Sequence, residues 1–171
     1  MNDYVATIRS RRQMSLSETT EFASIIYSYG AVKGTLAQIT DRVLKVDAIC
    51  YVRMGNRMVA TAALKQPANS YRKKLESETK ANVSEADFPL EMGYVVVVEG
   101  HRGEKLPEKG RLSDMVMAKV MTQAKGRGVF ATTKIEVFVE TALPALGFGV
   151  VGKYQNATKQ TIHVLTKGTL R

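Results

Sequence analysis

Apolar positions along this chain switch repeatedly between a period of two and a period near 3.6, which predicts a mixed α/β protein. Tyr4-Val5-Ala6-Thr7-Ile8-Arg9 alternates as an opening strand does. Ser15-Leu16-Ser17-Glu18 fits a capping box, with Ser15 as N-cap and Glu18 reaching back. The helix it opens runs through Phe22, Ile25, Ile26 and Tyr29, and Gly30 is its stop. A second helix, about Leu36 to Lys45, carries Leu36, Ile39, Val43 and Leu44 on one face. Ala48 to Met54 and Met58 to Leu64 flank Gly55-Asn56, a two-residue hairpin turn with glycine first.

Gln66 to Pro89 is highly charged without being strongly basic, because Glu76, Glu78, Glu85 and Asp87 offset Arg72, Lys73, Lys74 and Lys80. It reads as a solvated surface connection with some helix, the alternative being a substrate-side flap or partner surface. Glu91-Met92-Gly93-Tyr94 then leads into four valines, Val95 to Val98, whose β-branched run predicts a strand buried on both faces. A turn from Glu99 to Pro107 carries Gly100 and Gly103 among His101, Arg102 and Lys105. The next helix is expected from Pro107, with Glu108 near its positive end and Leu112, Met115, Val116, Lys119 and Val120 at helical spacing. Gly126-Arg127-Gly128 ends it. A strand over Val129 to Thr133 and a helical pattern over Glu136 to Leu146 follow, closed by Gly147. Two further strands are expected, one entered through Gly149 to Gly152 and one over Thr161 to Thr166.

Length and composition set limits on this picture. The 171 residues read as one domain, 1–171, with 44% hydrophobic and 24% charged residues, the proportions of an ordinary globule. No apolar run approaches membrane-spanning length and the N-terminus lacks a secretory apolar segment, so no membrane partner and a cytoplasmic location are expected. The single Cys50 excludes an internal disulfide and fits a reducing compartment. Two histidines and one cysteine do not readily supply a closed zinc site, and no metal is expected. The formal charge of +9 points to an anionic ligand or partner.

A strand, a basic glycine-containing loop and a helix in that order put backbone N–H groups and a helix dipole where an anion can sit. The order of residues is more specific. Arg102-Gly103-Glu104-Lys105-Leu106-Pro107 after the valine strand resembles the acetyl-CoA-binding segment of the GCN5-related N-acetyltransferases (GNAT). In that family the loop reads Arg or Gln, two residues, Gly, one residue, Gly or Ala. Leu146-Gly147-Phe148 leading into Val151-Gly152 is similar to the step that closes the same fold. The resemblance implies a central mixed sheet of six to seven strands with helices on both faces. It also implies an acyl-CoA-dependent N-acyltransferase, with acetyl-CoA as donor, acting by direct attack of an amine. Val96, Val97 and Val98 would pair with the pantetheine arm. Arg102, Gly103, Glu104, Lys105, Leu106 and Pro107 would hold the pyrophosphate, and Glu136 would lie beside the cofactor. Glu136 and Leu143 stand where many members have an Asn and a Tyr that protonates the departing thiolate.

Glu91 occupies the position of a carboxylate that deprotonates the amine through water in several members. A solvated strand-end charge is its alternative. Tyr94 either lines the acceptor channel or fills the core, and His163 and Cys50 read as packed side chains, Cys50 as an inert thiol. The acceptor is an amine of unspecified class, and the chain a monomer or homodimer. The stretch from Gly149 to Arg171 holds Lys153, Lys159, Lys167 and Arg171 with no acidic residue. A nucleic-acid or aminoacyl-tRNA acceptor is therefore a second reading, not the favoured one, since no known nucleic-acid module is present. A binding protein on this fold that has lost catalysis is the third.

Overall fold

The computed structural model describes residues 4–106 and 110–169. The expected Pro107 and Glu108 lie outside the described residues. Strands β1 (Tyr4–Ser10), β2 (Ala48–Met54), β3 (Arg57–Lys65), β4 (Leu90–Val97), β7 (Val129–Thr133), β8 (Gly149–Gln155) and β9 (Thr161–Lys167) form one mixed sheet in the order β1-β2-β3-β4-β7-β9-β8. A small ribbon pairs β5 (Lys105–Leu106) with β6 (Gly110–Arg111). The helices are α1 (Leu16–Ser28), α2 (Leu36–Val43), α3 (Asn69–Thr79), α4 (Leu112–Met121) and a final segment over residues 136–145 that ends in α5 (Leu143–Ala145). Two compact units result. The first comprises the chain up to Lys65 with Gly93–Gln123, the second Gln66–Met92 with the chain from Ala124 on.

In the first unit, β1, β2 and β3 run antiparallel, with Ile8 opposite Cys50 and Cys50 opposite Ala62. Gly55 takes φ +58, which suits the first position of the hairpin turn between β2 and β3. The Ser15 capping box forms as expected, and Thr35 makes a second one with Gln38. Beyond α1, Gly30 adopts φ +61 and the N–H of Ala31 returns to the carbonyl of Ile26, the αL stop expected there. Phe22, Ala23 and Ile26 of α1 and Ile39 and Val43 of α2 pack with Ile49 and Tyr51 of β2. α4 lies against β2 and β3 as well. Hence Ala48 to Val52 are buried without a break, the pattern of a strand covered on both faces.

That double burial was expected of the valine strand, and there it does not occur. In β4, Leu90, Met92, Tyr94 and Val96 are buried while Gly93, Val95 and Val97 are half-exposed. One face is covered and β-branching alone did not report it. The other difference is the start of α4, at Leu112 instead of Pro107. Gly110 stands at φ +71, outside the right-handed helical region, and pairs with Leu106, so the helix begins where the apolar stripe Leu112, Met115, Val116, Val120 begins.

The second unit is built on β4, β7, β9 and β8. Leu90–Met92 pairs in parallel with Val129–Ala131. Leu75, Val83, Phe130 and Val164 form the core, with Tyr71, Phe88 and Tyr154 at its margin. The charged connection contains the expected helix, α3, and most of it is exposed, but one of its cations is not solvated. Arg72 of α3 is 4% exposed, and its guanidinium donates to the carbonyls of Val83 (2.6 Å), Phe88 (2.7 Å) and Pro89 (3.0 Å). It therefore ties α3 to the return segment that feeds β4. The last helical segment is π-helical over Phe138–Ala142. Pro144 has no N–H to continue an α-ladder, and the N–H of Leu143 reaches Phe138.

Candidate active site

The second unit presents a buried carboxylate. Glu91, second residue of β4, is 4% exposed. Its Oε1 lies 3.3 Å from the hydroxyl of Thr132 on β7 and 3.5 Å from that of Tyr71 on α3, and these hydroxyls are 3.1 Å apart. The reading of Glu91 as a solvated strand-end charge is thus set aside. Burial, then the charge of Glu91, push the Tyr71 hydroxyl well above its usual pKa, so at neutral pH it stays protonated and can donate. Arg72, next to Tyr71 in sequence, is what holds this end of α3. Neither Tyr71 nor Thr132 was anticipated. A tyrosine in a charged helix carries no sequence signal that it will meet a carboxylate twenty residues on.

The first unit contains the rest of β4 and the turn after it. Tyr94 is 8% exposed and its ring joins the α1/α2 core. Its backbone has φ +56 inside the strand, an uncommon conformation for a bulky residue, costing about 1–2 kcal/mol, and associated with functional constraint. Thr61 donates to the Tyr94 carbonyl at 2.8 Å, and the Lys65 ammonium sits 4.6 Å from the Tyr94 ring centroid. Further along, the N–H of Val98 donates to the carbonyl of Val59 at 2.9 Å. The expectation that the Val98 N–H pairs with the pantetheine arm is corrected by that bond. Alternation along a strand directs the N–H of Val97 to the opposite side, away from β3.

Arg102 folds back on its own turn. Its Nε donates to Val97 O at 3.1 Å and its guanidinium lies 5.3 Å over the ring of Tyr29, whose hydroxyl accepts from Glu99 N. Gly103 takes φ +75 with nothing near the place of a Cβ. Glu104 accepts from the hydroxyl of Tyr4, and His101 Nδ1 lies 3.1 Å from that hydroxyl and 3.3 Å from Glu104. Burial and then the bond to Glu104 push the Tyr4 hydroxyl up to about 12. These contacts tie the turn to β1. Arg102, Gly103 and Glu104 therefore do not run into a helix. Lys105 and Leu106 belong to the ribbon before α4, and the helix start is made by Gly110, Arg111 and Leu112.

The α4 N-terminus is notable for what caps it. Arg111 is the N-cap residue, with extended backbone and no side-chain capping bond. An N-cap oxygen is the usual acceptor for first-turn N–H groups, and arginine offers none. Elsewhere, Glu136 is exposed, 3.5 Å from His163 Nε2. Leu143 is buried, and burial pushes the Cys50 thiol up to about 12, as an inert thiol requires. Among the described residues no group of three His, Cys, Asp or Glu side chains could hold a metal ion, and no helix is long and apolar enough to cross a membrane.

No protein-family model matches the sequence, and no curated protein matches it either. Solved structures do match the fold. ElaA of Escherichia coli superposes with a TM-score of 0.65 at 14% identity, covering 96% of this chain and 99% of that one. An acyl-CoA N-acyltransferase of Pseudomonas aeruginosa gives 0.65 at 13%, with the same coverage. A GNAT-family acetyltransferase of Bacillus cereus gives 0.61 at 10%, covering 98% and 99%. The chain has the GNAT fold. On that fold, the left-handed residue in β4 and the uncapped α4 belong to one strand-turn-helix stretch. Of the expected site residues, the structure buries Glu91 in one unit and gathers Tyr94, Val96, Val97, Arg102, Gly103, Glu104, Lys105 and Leu106 in the other.

Proposed function

We propose that this protein is an acyl-CoA-dependent N-acyltransferase, with acetyl-CoA as donor and an amine as acceptor. The observation that carries the reading is the uncapped N-terminus of α4 preceded by Gly110 at φ +71. First-turn amides there have no side-chain acceptor from Arg111, and a helix dipole favours negative charge at that point. The chain's residues fit a pyrophosphate: the amides of Leu112 and Ser113 and the charges of Arg111 and Lys105 would hold it. Asp114 in the same turn opposes it. Along β4, Val96 and Val97 would hold the pantetheine arm, with the Val97 N–H pointing away from β3. Coenzyme A supplies an activated thioester when bound.

In this reading Glu91 removes the proton of the amine through water, and Tyr71 and Thr132 keep its carboxylate in one orientation. A positioned base of this kind contributes about 10²–10⁴ in rate. Tyr94 acts through its backbone, the left-handed turn fixing where the following amides point. Leu143 donates no proton, so the leaving thiolate is protonated by solvent.

The test is calorimetry and thermal stabilisation with acetyl-CoA. A ligand at a hundred times its Kd should add about 2.7 kcal/mol. Gly110→Val should abolish binding, because a β-branched residue resists φ +71. Arg102→Ala, which acts on its own turn, should change affinity less than about threefold. Binding that is absent at millimolar acetyl-CoA would leave the chain a binding protein on an acyltransferase fold.

A further inference from the structure

Lys65, the last residue of β3, is bent over the backbone of β4. Its Nζ lies 4.6 Å from the centroid of the Tyr94 ring. A Cβ added at Gly93 would stand 2.9 Å from Lys65 Cε and 3.0 Å from Nζ. The glycine at 93 is what leaves room for the amine. A primary amine is thus held over the two residues at which β4 enters its left-handed turn, Gly93 and Tyr94 at φ +56. Lys65, Gly93, Tyr94 and the α4 N-terminus all belong to the first compact unit.

We propose that Lys65 is itself an acyl acceptor, modified within its own molecule by acyl-CoA bound along β4. The inference rests on the reading that acyl-CoA binds there. The neutral Nζ attacks the thioester carbonyl carbon, a C–N bond forms and the C–S bond breaks. Coenzyme A departs as thiolate and recovers, by way of solvent, the proton that the amine loses. The products are Nε-acyl-Lys65 and free coenzyme A, with nothing oxidised or reduced. Attack needs the amine in its neutral form. Acylation then removes the positive charge and with it the contact to the Tyr94 ring. The acyl group enlarges the end of a side chain that already lies close against Gly93. Self-modification would therefore alter the same strand that holds the donor.

The experiment incubates the whole chain with acetyl-CoA and follows acetylation by peptide mass spectrometry. Lys65 should acquire the label at least about tenfold faster than Lys73 and Lys74, which are exposed on α3 and report untemplated chemistry. The rate should not depend on protein concentration, and excess free coenzyme A should suppress it. In Lys65→Arg the fast phase should vanish; if that variant does not fold, the map of the unaltered chain decides by itself. Calorimetry on the same sample separates the two ideas. Bound acetyl-CoA with label spread evenly over exposed lysines, or with a rate rising with protein concentration, overturns self-acylation and leaves the acyltransferase reading standing. Absence of binding removes both.

Discussion

Replacing Arg72 by methionine tests whether the charged connection is a built part of the second unit. Arg72 is 4% exposed, and its guanidinium donates to three carbonyls at 2.6, 2.7 and 3.0 Å and lies 5.3 Å over the ring of Phe130. Methionine keeps most of the stem volume and removes the donors. Each carbonyl left buried without a partner costs about 1–3 kcal/mol, roughly 3–9 kcal/mol in all. Two effects act the other way. Burial holds the guanidinium below its usual pKa despite Glu85, Glu91 and Glu76, so substitution relieves a desolvation penalty of several kcal/mol. The Nε atom, buried with no hydrogen-bond partner, also disappears. The expected net loss is about 3 kcal/mol, a large part of the roughly 5–15 kcal/mol that holds a domain together. Arg72→Lys should lose nearly as much, since a single ammonium cannot replace the planar fork. Urea unfolding by circular dichroism gives the total, and amide exchange gives its location. Exchange should quicken over residues 83–92 while α1 keeps its protection. A loss below about 1 kcal/mol with unchanged exchange would refute the clamp.

Gly128→Ala should destabilise the chain by about 3 kcal/mol or prevent folding, because the new Cβ would stand 1.9 Å from the backbone oxygen of Asp87; near-native thermal unfolding would show that the turn yields. The second expectation concerns pH. Burial alone would raise the Glu18 carboxyl, but bonds from Ser15, Tyr51 and Arg9 outweigh it and hold the pKa at about 2, below an ordinary value of 4.5. A depressed pKa stabilises the fold above the unfolded value and loses that contribution as pH falls from about 4.5 to about 2. Allowing for solvent screening, the contribution is about 1–2 kcal/mol. The urea midpoints of the unaltered chain and Glu18→Gln should therefore converge over that window, and a gap that stays constant down to pH 2 would count against it.

The parts of this fold that were legible in sequence are those specified by neighbours along the chain. Ser15 and Glu18 cap α1 three residues apart, Gly55 turns a hairpin between its own strands, and Gly147 ends the helix before it. Each device acts over a few residues, so a local pattern suffices. The parts that were misjudged depend on partners far away. Val95 and Val97 are β-branched like their neighbours, yet are only half-buried, because coverage of a strand is decided by what packs on the sheet. Arg72 read as one cation among many because its carbonyl partners, 11 to 17 residues on, are met through the return loop. The strand pattern places Glu91 at the start of β4, but Tyr71 and Thr132 come to it from a helix and a strand that no spacing rule connects.

The anion loop shows the same limit in its sharpest form, because two basic glycine turns follow β4. Gly103 and Gly110 have nearly the same left-handed backbone, φ +75 and +71, and each has an arginine beside it, so residue type does not separate them. Their surroundings do. Arg102 is committed to Val97 O and the Tyr29 ring, and its turn is held to β1 through Tyr4 and Glu104. Arg111 makes no capping bond and stands directly before a ten-residue helix. A helix dipole acts within its first turn and fades beyond it. Gly103 lies a whole ribbon away from that turn, whereas Gly110 adjoins it. Asp114, a carboxylate in the first turn, partly offsets the missing side-chain cap. Any phosphate bound there must compete with that charge, so affinity depends on the flanking cations Arg111 and Lys105 as well as on the amides. The Arg102-Gly103 pair thus anchors its own turn, and the proposed phosphate site lies one turn later.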